Sequence, residues 1–235
     1  NGKIYVGGAR QLGFMERDSN GELRFQSLKN LLPQKAQAKL KTIYKIFIIK
    51  DAVIFQSVKA TFIYQNGSFR TLDISSRNIF FLGNKLLVRK QQQLFEYLLN
   101  GDFKPTDFLK GFPISTLSTI TPLSKYRFLL MNYQKEFTIY DTQASLNERL
   151  QLVSTMDSVK NAQIQTIKPL YDGKLAISTI DQGIFVFNQR LEFFYKIDKE
   201  NGLKTNKVYD IFEDHQHNLW LPLYYGIAQA SVGSP

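Results

Sequence analysis

The two histidines of this 235-residue chain stand one residue apart, in Asp214-His215-Gln216-His217. Imidazole and carboxylate together are zinc donors, but a site needs three or four of them. No third or fourth ligand stands at a recognisable spacing, and a polar turn between two strands accounts for the cluster better. With no other histidine, a Ser-His-Asp hydrolase has almost no candidates. Glu213 and Asp214 are adjacent. Neighbours on a strand point to opposite faces, so they do not face each other across a bond as glycosidase carboxylates do. Gly2, Gly7 and Gly8 make no phosphate cradle, because no helix follows them. Cysteine is absent, which removes disulfide and thiolate chemistry. The expectation is a binding segment, not an enzyme, with no catalytic residues, no metal and no cofactor.

Aromatic and basic residues offer more. Tyr224 and Tyr225 fall just after an apolar run and before Gly226, a loop position. Loops held by a rigid scaffold are where binding residues concentrate, and a tyrosine offers sugars an apolar face with a polar handle. Equivalent loops carry Arg10, Lys59, Lys90 with Gln92, Tyr133 with Lys135, and Asp181 with Gln182. Such a set suits an oligosaccharide, an acidic one through charge-assisted hydrogen bonds. Trp220, between Leu219 and Leu221, reads as core between neighbouring sheets. The formal net charge is +10, which attracts anions. The basic residues are scattered, with only 35–45 locally dense, and there is no Arg-rich tract or RNA-binding signature, so nucleic acid is not expected.

These residues must be positioned by strands. Phe (19) and Tyr (12) are abundant, and aromatic side chains suit a pleated, half-buried surface. Six apolar runs each follow a polar turn: Ile4-Tyr5-Val6, Val53-Ile54-Phe55, Leu86-Leu87-Val88, Phe128-Leu129-Leu130, Leu175-Ala176-Ile177 and Leu219-Trp220-Leu221. Their starts are 49, 33, 42, 47 and 44 residues apart, and another apolar strand begins about nine residues after each. Asn20-Gly21, Asn66-Gly67 and Asn100-Gly101 accept the positive φ angles of tight hairpin turns. The unit is a four-stranded antiparallel meander of about 40–45 residues, one propeller blade. First strands are expected over 43–49, 78–82, 117–123, 162–171 and 207–212, and a short helix over 34–40. The fold class is therefore all-β, a single β-propeller segment over 1–235, with blades at 1–31 (partial), 42–75, 77–112, 115–155, 160–200 and 205–235 (partial). No run approaches the ~18 apolar residues of a membrane helix.

The clearest copy is Gly202-Leu203, Asn206, Val208-Tyr209, Ile211, Glu213-Asp214, Asn218-Leu219-Trp220 and Gly226-Ile227. It resembles the two-component regulator propeller repeat, which runs Gly-Leu, Val-Tyr-x-Ile-x-Glu-Asp, a turn ending in Gly-Asn, Leu-Trp-Ile-Gly-Thr, and a Gly before the third strand. The match is partial at Asp172-Gly173-Lys174-Leu175-Ala176-Ile177-Ser178-Thr179 with Gly183-Ile184, and faint at Asn1-Gly2-Lys3-Ile4-Tyr5-Val6-Gly7-Gly8. His217 replaces the turn glycine, and Pro222 stands where the repeat has Gly. The resemblance implies a seven-bladed propeller of which five to six blades are present, an incomplete ring. It also implies the periplasmic sensor half of a hybrid two-component regulator, with a histidine kinase and membrane attachment elsewhere in the protein and an oligosaccharide as ligand. The alternative is a propeller scaffold for protein–protein contact or dimerisation. The chain opens at Asn1-Gly2-Lys3, a hairpin turn, which suggests a piece of something longer. Open edge strands then invite self-association.

Overall fold

The computed structural model describes residues 3–231. Asn1 and Gly2 of the opening turn lie outside the described residues. The chain forms two compact units, Asn1–Lys110 and Gly111–Pro235.

The first unit holds three antiparallel sheets in sequence order. The first is β1 (Ile4–Gly8), β2 (Gln11–Arg17) and β3 (Leu23–Ser27). After the short helix α1 (Gln34–Lys39) comes the second, β4 (Ile43–Ile49), β5 (Ala52–Ser57), β6 (Thr61–Gln65) and β7 (Ser68–Leu72). The third is β8 (Ile79–Leu82), β9 (Lys85–Lys90), β10 (Gln93–Tyr97) and β11 (Phe103–Pro105). Asn66 and Gly67, at φ 51° and 77°, make the tight turn between β6 and β7, the conformation for which Asn-Gly is chosen. The helix expected over 34–40 forms, and it buries Ala36 between Leu32 and Leu40.

The second unit repeats the plan. Its sheets are β12 (Leu117–Pro122), β13 (Arg127–Asn132), β14 (Phe137–Asp141) and β15 (Leu150–Val153); β16 (Ile164–Pro169), β17 (Leu175–Thr179), β18 (Ile184–Phe187) and β19 (Phe193–Ile197); and β20 (Phe212–Glu213), β21 (Asn218–Pro222) and β22 (Ile227–Ser231). The described residues thus make six blades, two of them three-stranded. This corrects the expectation of an incomplete seven-bladed propeller. The first strand expected over 207–212 is also shorter. Only Phe212–Glu213 is a strand, with a separate bridge from Val208 to Leu223.

Within each unit the blades are held by strands buried on both faces. Along β5 every residue is buried. Alternate side chains go to opposite neighbours. Val53 and Phe55 pack with Leu12 and Phe14 of the preceding blade, while Ala52 and Ile54 pack with Leu86 and Val88 of the next. β17 does the same, with Leu175 and Ile177 against Leu129 and Met131, and Ala176 against Leu219 and Leu221. The first strands β4, β12 and β16 each carry a bulge in their opening residues, a repeated signature of the unit.

The same alternation corrects the reading of Trp220. Leu219 and Leu221 pack on one face of β21, so Trp220 lies on the other with its cross-strand partners Phe212 and Gln229. Among the described residues no other sheet covers this face, and Trp220 is 40% and Phe212 60% exposed. Its burial would require a sheet stacked on that face, as β5 and β17 have on both of theirs.

Phe62 and Phe187 are fully buried. Truncating either to alanine is expected to cost about 3–5 kcal/mol in urea unfolding, whereas Leu152→Ala, at an exposed site, should stay within about 0.5 kcal/mol. Equal effects would contradict the two-sided burial.

Candidate functional site

Each blade has a loop end, where the second strand turns into the third and where one blade passes to the next. At its turn end lie the hairpins joining first to second and third to fourth strands. Every residue put forward for ligand binding falls at a loop end, while the Asp214–His217 cluster lies at a turn end. In the first unit Arg10 occupies the β1–β2 loop at φ 57°, and Lys59 the β5–β6 loop. Lys90 closes β9 beside Gln92, and its ammonium lies 3.0 Å from the Phe103 ring centroid.

In the second unit several of these groups are spent on holding the loops. Lys135 Nζ donates to the Ala162 carbonyl at 2.7 Å. Asp181 Oδ1 accepts the Gln163 amide at 2.9 Å. The Gln182 amide donates to Thr179 Oγ1, which in turn donates to the Gly183 carbonyl. Gly183, at φ 80°, abuts Ile197, and a side chain there would collide with that residue's carbonyl oxygen. The Tyr133 amide donates to the Thr116 carbonyl at 3.0 Å.

The Tyr224-Tyr225 loop differs. The two rings meet edge to face at 4.4 Å and are 51% and 74% exposed. Lys207 Nζ stands 4.4 Å from the Tyr224 ring and 5.9 Å from the Tyr209 ring. Backbone bonds fix this group, Tyr224 N to Lys207 O at 3.1 Å and Tyr209 N to Pro222 O at 2.9 Å. The result is a platform of three exposed tyrosines and one ammonium. Sequence reasoning missed Lys207 and Tyr209 because they sat in an expected inner strand. The available signal was their placement on either side of Val208, which is fully buried.

The turn end of the second unit carries two clefts, one that the sequence did not suggest and one at the histidine cluster. One of about 480 Å³ is lined by Asp172, Lys174, Asn188, Gln189, Arg190 and Glu192. Its polar groups largely bond one another: Lys174 pairs with Asp172, Gln189 donates to the Asp172 carbonyl at 2.7 Å, and Asn188 donates to Glu192 at 2.8 Å. The other, about 640 Å³, is lined by Tyr171, Glu213, Asp214, His215 and His217. Here His217 takes the left-handed backbone, φ 64°, that the repeat's glycine would supply. Its ring stacks on Tyr171 at 4.0 Å, and its Nδ1 lies 3.2 Å from Glu213 Oε1. Glu213 Oε2 also accepts the Tyr171 amide at 2.9 Å, so the pair clamps two blades. Among the described residues, no three His, Asp or Glu side chains converge as metal ligands would. With their polar groups engaged, these clefts are weaker binding candidates than the platform.

Asp214 organises its turn. The Trp220 indole N–H donates to its carboxylate at 2.8 Å, and the Asn218 and Gln216 amides and the Asn218 side chain add to this. Hydrogen bonding to the charged form favours it, and the indole, then the Asn218 amide, hold the carboxyl at about 2, below its ordinary 3.8.

No protein-family model matches the sequence, and no curated protein matches it. Solved structures do. The extracellular domain of BT4673 from B. thetaiotaomicron, described as a one component system, matches with TM-score 0.63 and 18% identity over 99% of this chain and 32% of that one. The WD40 beta propeller domain of Doa1 matches with TM-score 0.63 and 11% identity over 97% of this chain and 74% of that one. The extracellular domain of BT3049 from B. thetaiotaomicron, described as a hybrid two component system, matches with TM-score 0.51 and 13% identity over 95% of this chain and 38% of that one. The fold is the β-propeller. Its neighbours include both extracellular domains of one component and hybrid two component systems and a WD40 propeller, and the chain spans about a third of the length of the BT4673 domain. Among the described residues no helix is long and apolar enough to cross a membrane.

The folded-state pKa of Asp214 lies below its ordinary value, so its contribution is present above pH about 4 and is lost as the pH falls through about 2. Trp220→Phe is therefore expected to raise the Asp214 pKa in an NMR titration and to destabilise the chain at pH 7. At pH 2 the two forms should differ little. A Trp220→Phe chain with an unmoved Asp214 titration would refute this account.

Proposed function

We propose that this chain is an extracytoplasmic, periplasmic sensor segment of a two-component signalling protein, and that it binds an oligosaccharide. The observation that carries the reading is the platform of Tyr209, Tyr224, Tyr225 and Lys207. Exposed aromatic faces suit stacking on sugar rings, while the neighbouring ammonium pairs with a carboxylate or donates to hydroxyl oxygens. The platform lies on a loop whose backbone is tied at both ends, so little ordering cost falls on binding. The fold likeness to extracellular domains of one component and hybrid two component systems supports the same reading. The segment works by binding, and signalling output belongs to other parts of the protein.

A Tyr224→Ala/Tyr225→Ala chain is expected to bind its oligosaccharide about tenfold or more weakly by calorimetry, equivalent to about 1.4 kcal/mol, with an unchanged melting temperature. An unresponsive glycan array for the parent chain, or unaltered affinity in the double variant, would overturn the reading.

A second reading, a protein-interaction scaffold without its own small ligand, draws on β22. Among the described residues it pairs only with β21, where the other blades of this unit add a fourth strand. An open edge presents unpaired N–H and C=O groups to another strand. Self-association in light scattering at micromolar concentration is expected on this reading, and a strict monomer would count against it.

A further inference from the structure

The formal charge of +10 belongs to one unit. Through residue 110 there are 18 Lys and Arg against 8 Asp and Glu, and from residue 111 there are 12 against 12. The first unit's charge is also sorted along its strands. Six of its eight acids, Glu16, Asp18, Glu22, Asp51, Glu96 and Asp102, lie in or toward the hairpin turns of the turn end.

At its loop end stand Arg10, Lys35, Lys41, Lys59, Arg77 and Lys90, on three consecutive blades and the connections between them. Local contacts join these segments into one surface. The Arg10 amide donates to the Lys41 carbonyl at 3.3 Å, beside a bridge from Ala9 to Thr42. The Ser76 amide donates to the Val58 carbonyl at 3.2 Å, next to Lys59. The Arg89 guanidinium donates to the Arg77 carbonyl at 2.9 Å, next to Lys90. Two acids fall at this end, Asp107 and Asp73, and Asp73 pairs with Lys39. Among the described residues, no carboxylate comes within ion-pair reach of the six cations.

We infer that the loop end of the first unit binds a linear acidic polysaccharide, one carrying carboxylate or sulfate groups along its length. The inference deepens the oligosaccharide reading and rests on it. Gathered cations with few acids among them repel one another and raise the local concentration of polyanions. A chain with many anionic groups meets several cations at once and releases its counterions, as nucleic acids do on basic proteins. The neighbouring groups suit sugars. Gln91 and Gln92, exposed and in left-handed backbone at φ 45° and 67°, set amides beside Lys90 for hydroxyl groups. Single-stranded nucleic acid would call for several stacked aromatic faces, whereas Tyr44 is a single exposed ring at this end among the described residues. A bilayer would call for an apolar helix face turned outward, and α1 turns Ala36 into the core.

The test uses the 235-residue chain with polygalacturonate and heparin as probes. Dextran oligosaccharide, phosphatidylglycerol vesicles and single-stranded DNA are run beside them. Lys35→Glu/Lys41→Glu/Lys59→Glu is expected to lose about tenfold or more in affinity for both acidic polysaccharides and to flatten the dependence on salt. The neutral Lys→Gln version, gentler on folding, should lose part of that. Lys160→Glu/Lys168→Glu/Lys199→Glu in the second unit should change affinity by less than about twofold. Equal losses in the two units, or tighter binding to vesicles or DNA than to polysaccharide, overturn the inference. If both charge variants keep acidic polysaccharide while Tyr224→Ala/Tyr225→Ala loses oligosaccharide, this inference falls and the platform reading stands. No binding to any saccharide removes both.

Discussion

A strand buried on both faces is the constraint on which each unit depends. β5 and β17 have no solvent side, so each residue along them serves one neighbouring blade or the other. Val53 and Phe55 go one way, Ala52 and Ile54 the other. A single sheet cannot satisfy such a strand, and this is why the repeat exists only in stacks. It also fixes register, since a one-residue slip would exchange the contacts of both interfaces at once.

Once the middle of each blade is fixed, its ends are free to vary. At the loop ends some polar groups stitch segments together, as Lys135 does to Ala162 and Asp181 to Gln163. Others are left presenting themselves outward, as Tyr224 and Tyr225 are. The turn ends are occupied differently. Asp214 gathers the indole of Trp220 and the amides of its own turn, and His217 and Glu213 clamp that turn to Tyr171. The histidine cluster is therefore built into the packing of two blades.

Much of the strand pattern was legible because it is local. Apolar runs, Asn-Gly turns and the helix over Gln34–Lys39 each depend on a few neighbouring residues. All six runs chosen as second strands lie inside observed strands. The last blade was harder. Val208 satisfies the repeat's first-strand pattern, yet it makes only one bridge, and Lys207 and Tyr209 turn outward to the platform. Trp220 was misread for a related reason. Its size suggested core, and its parity along β21 sets it on the face opposite Leu219 and Leu221, but among the described residues that face is uncovered, and the indole reaches Asp214 instead.

The sequence by itself determined that this chain is a series of antiparallel meanders, since alternation and turn chemistry act over a handful of residues. It also determined that the chain carries an excess of ten positive charges. Only the tertiary structure decided where that excess stands. The cations appear scattered along the first 110 residues, but strands of similar length bring every second-to-third loop and every blade connection to one end of the unit. Arg10 thereby meets the Lys41 segment, and the loop of Lys59 meets that of Arg77. The Tyr–Lys platform arises in the same way, from Lys207 and Tyr224 brought together by chain reversal, whereas the groups that lower the Asp214 pKa stand within six residues of it.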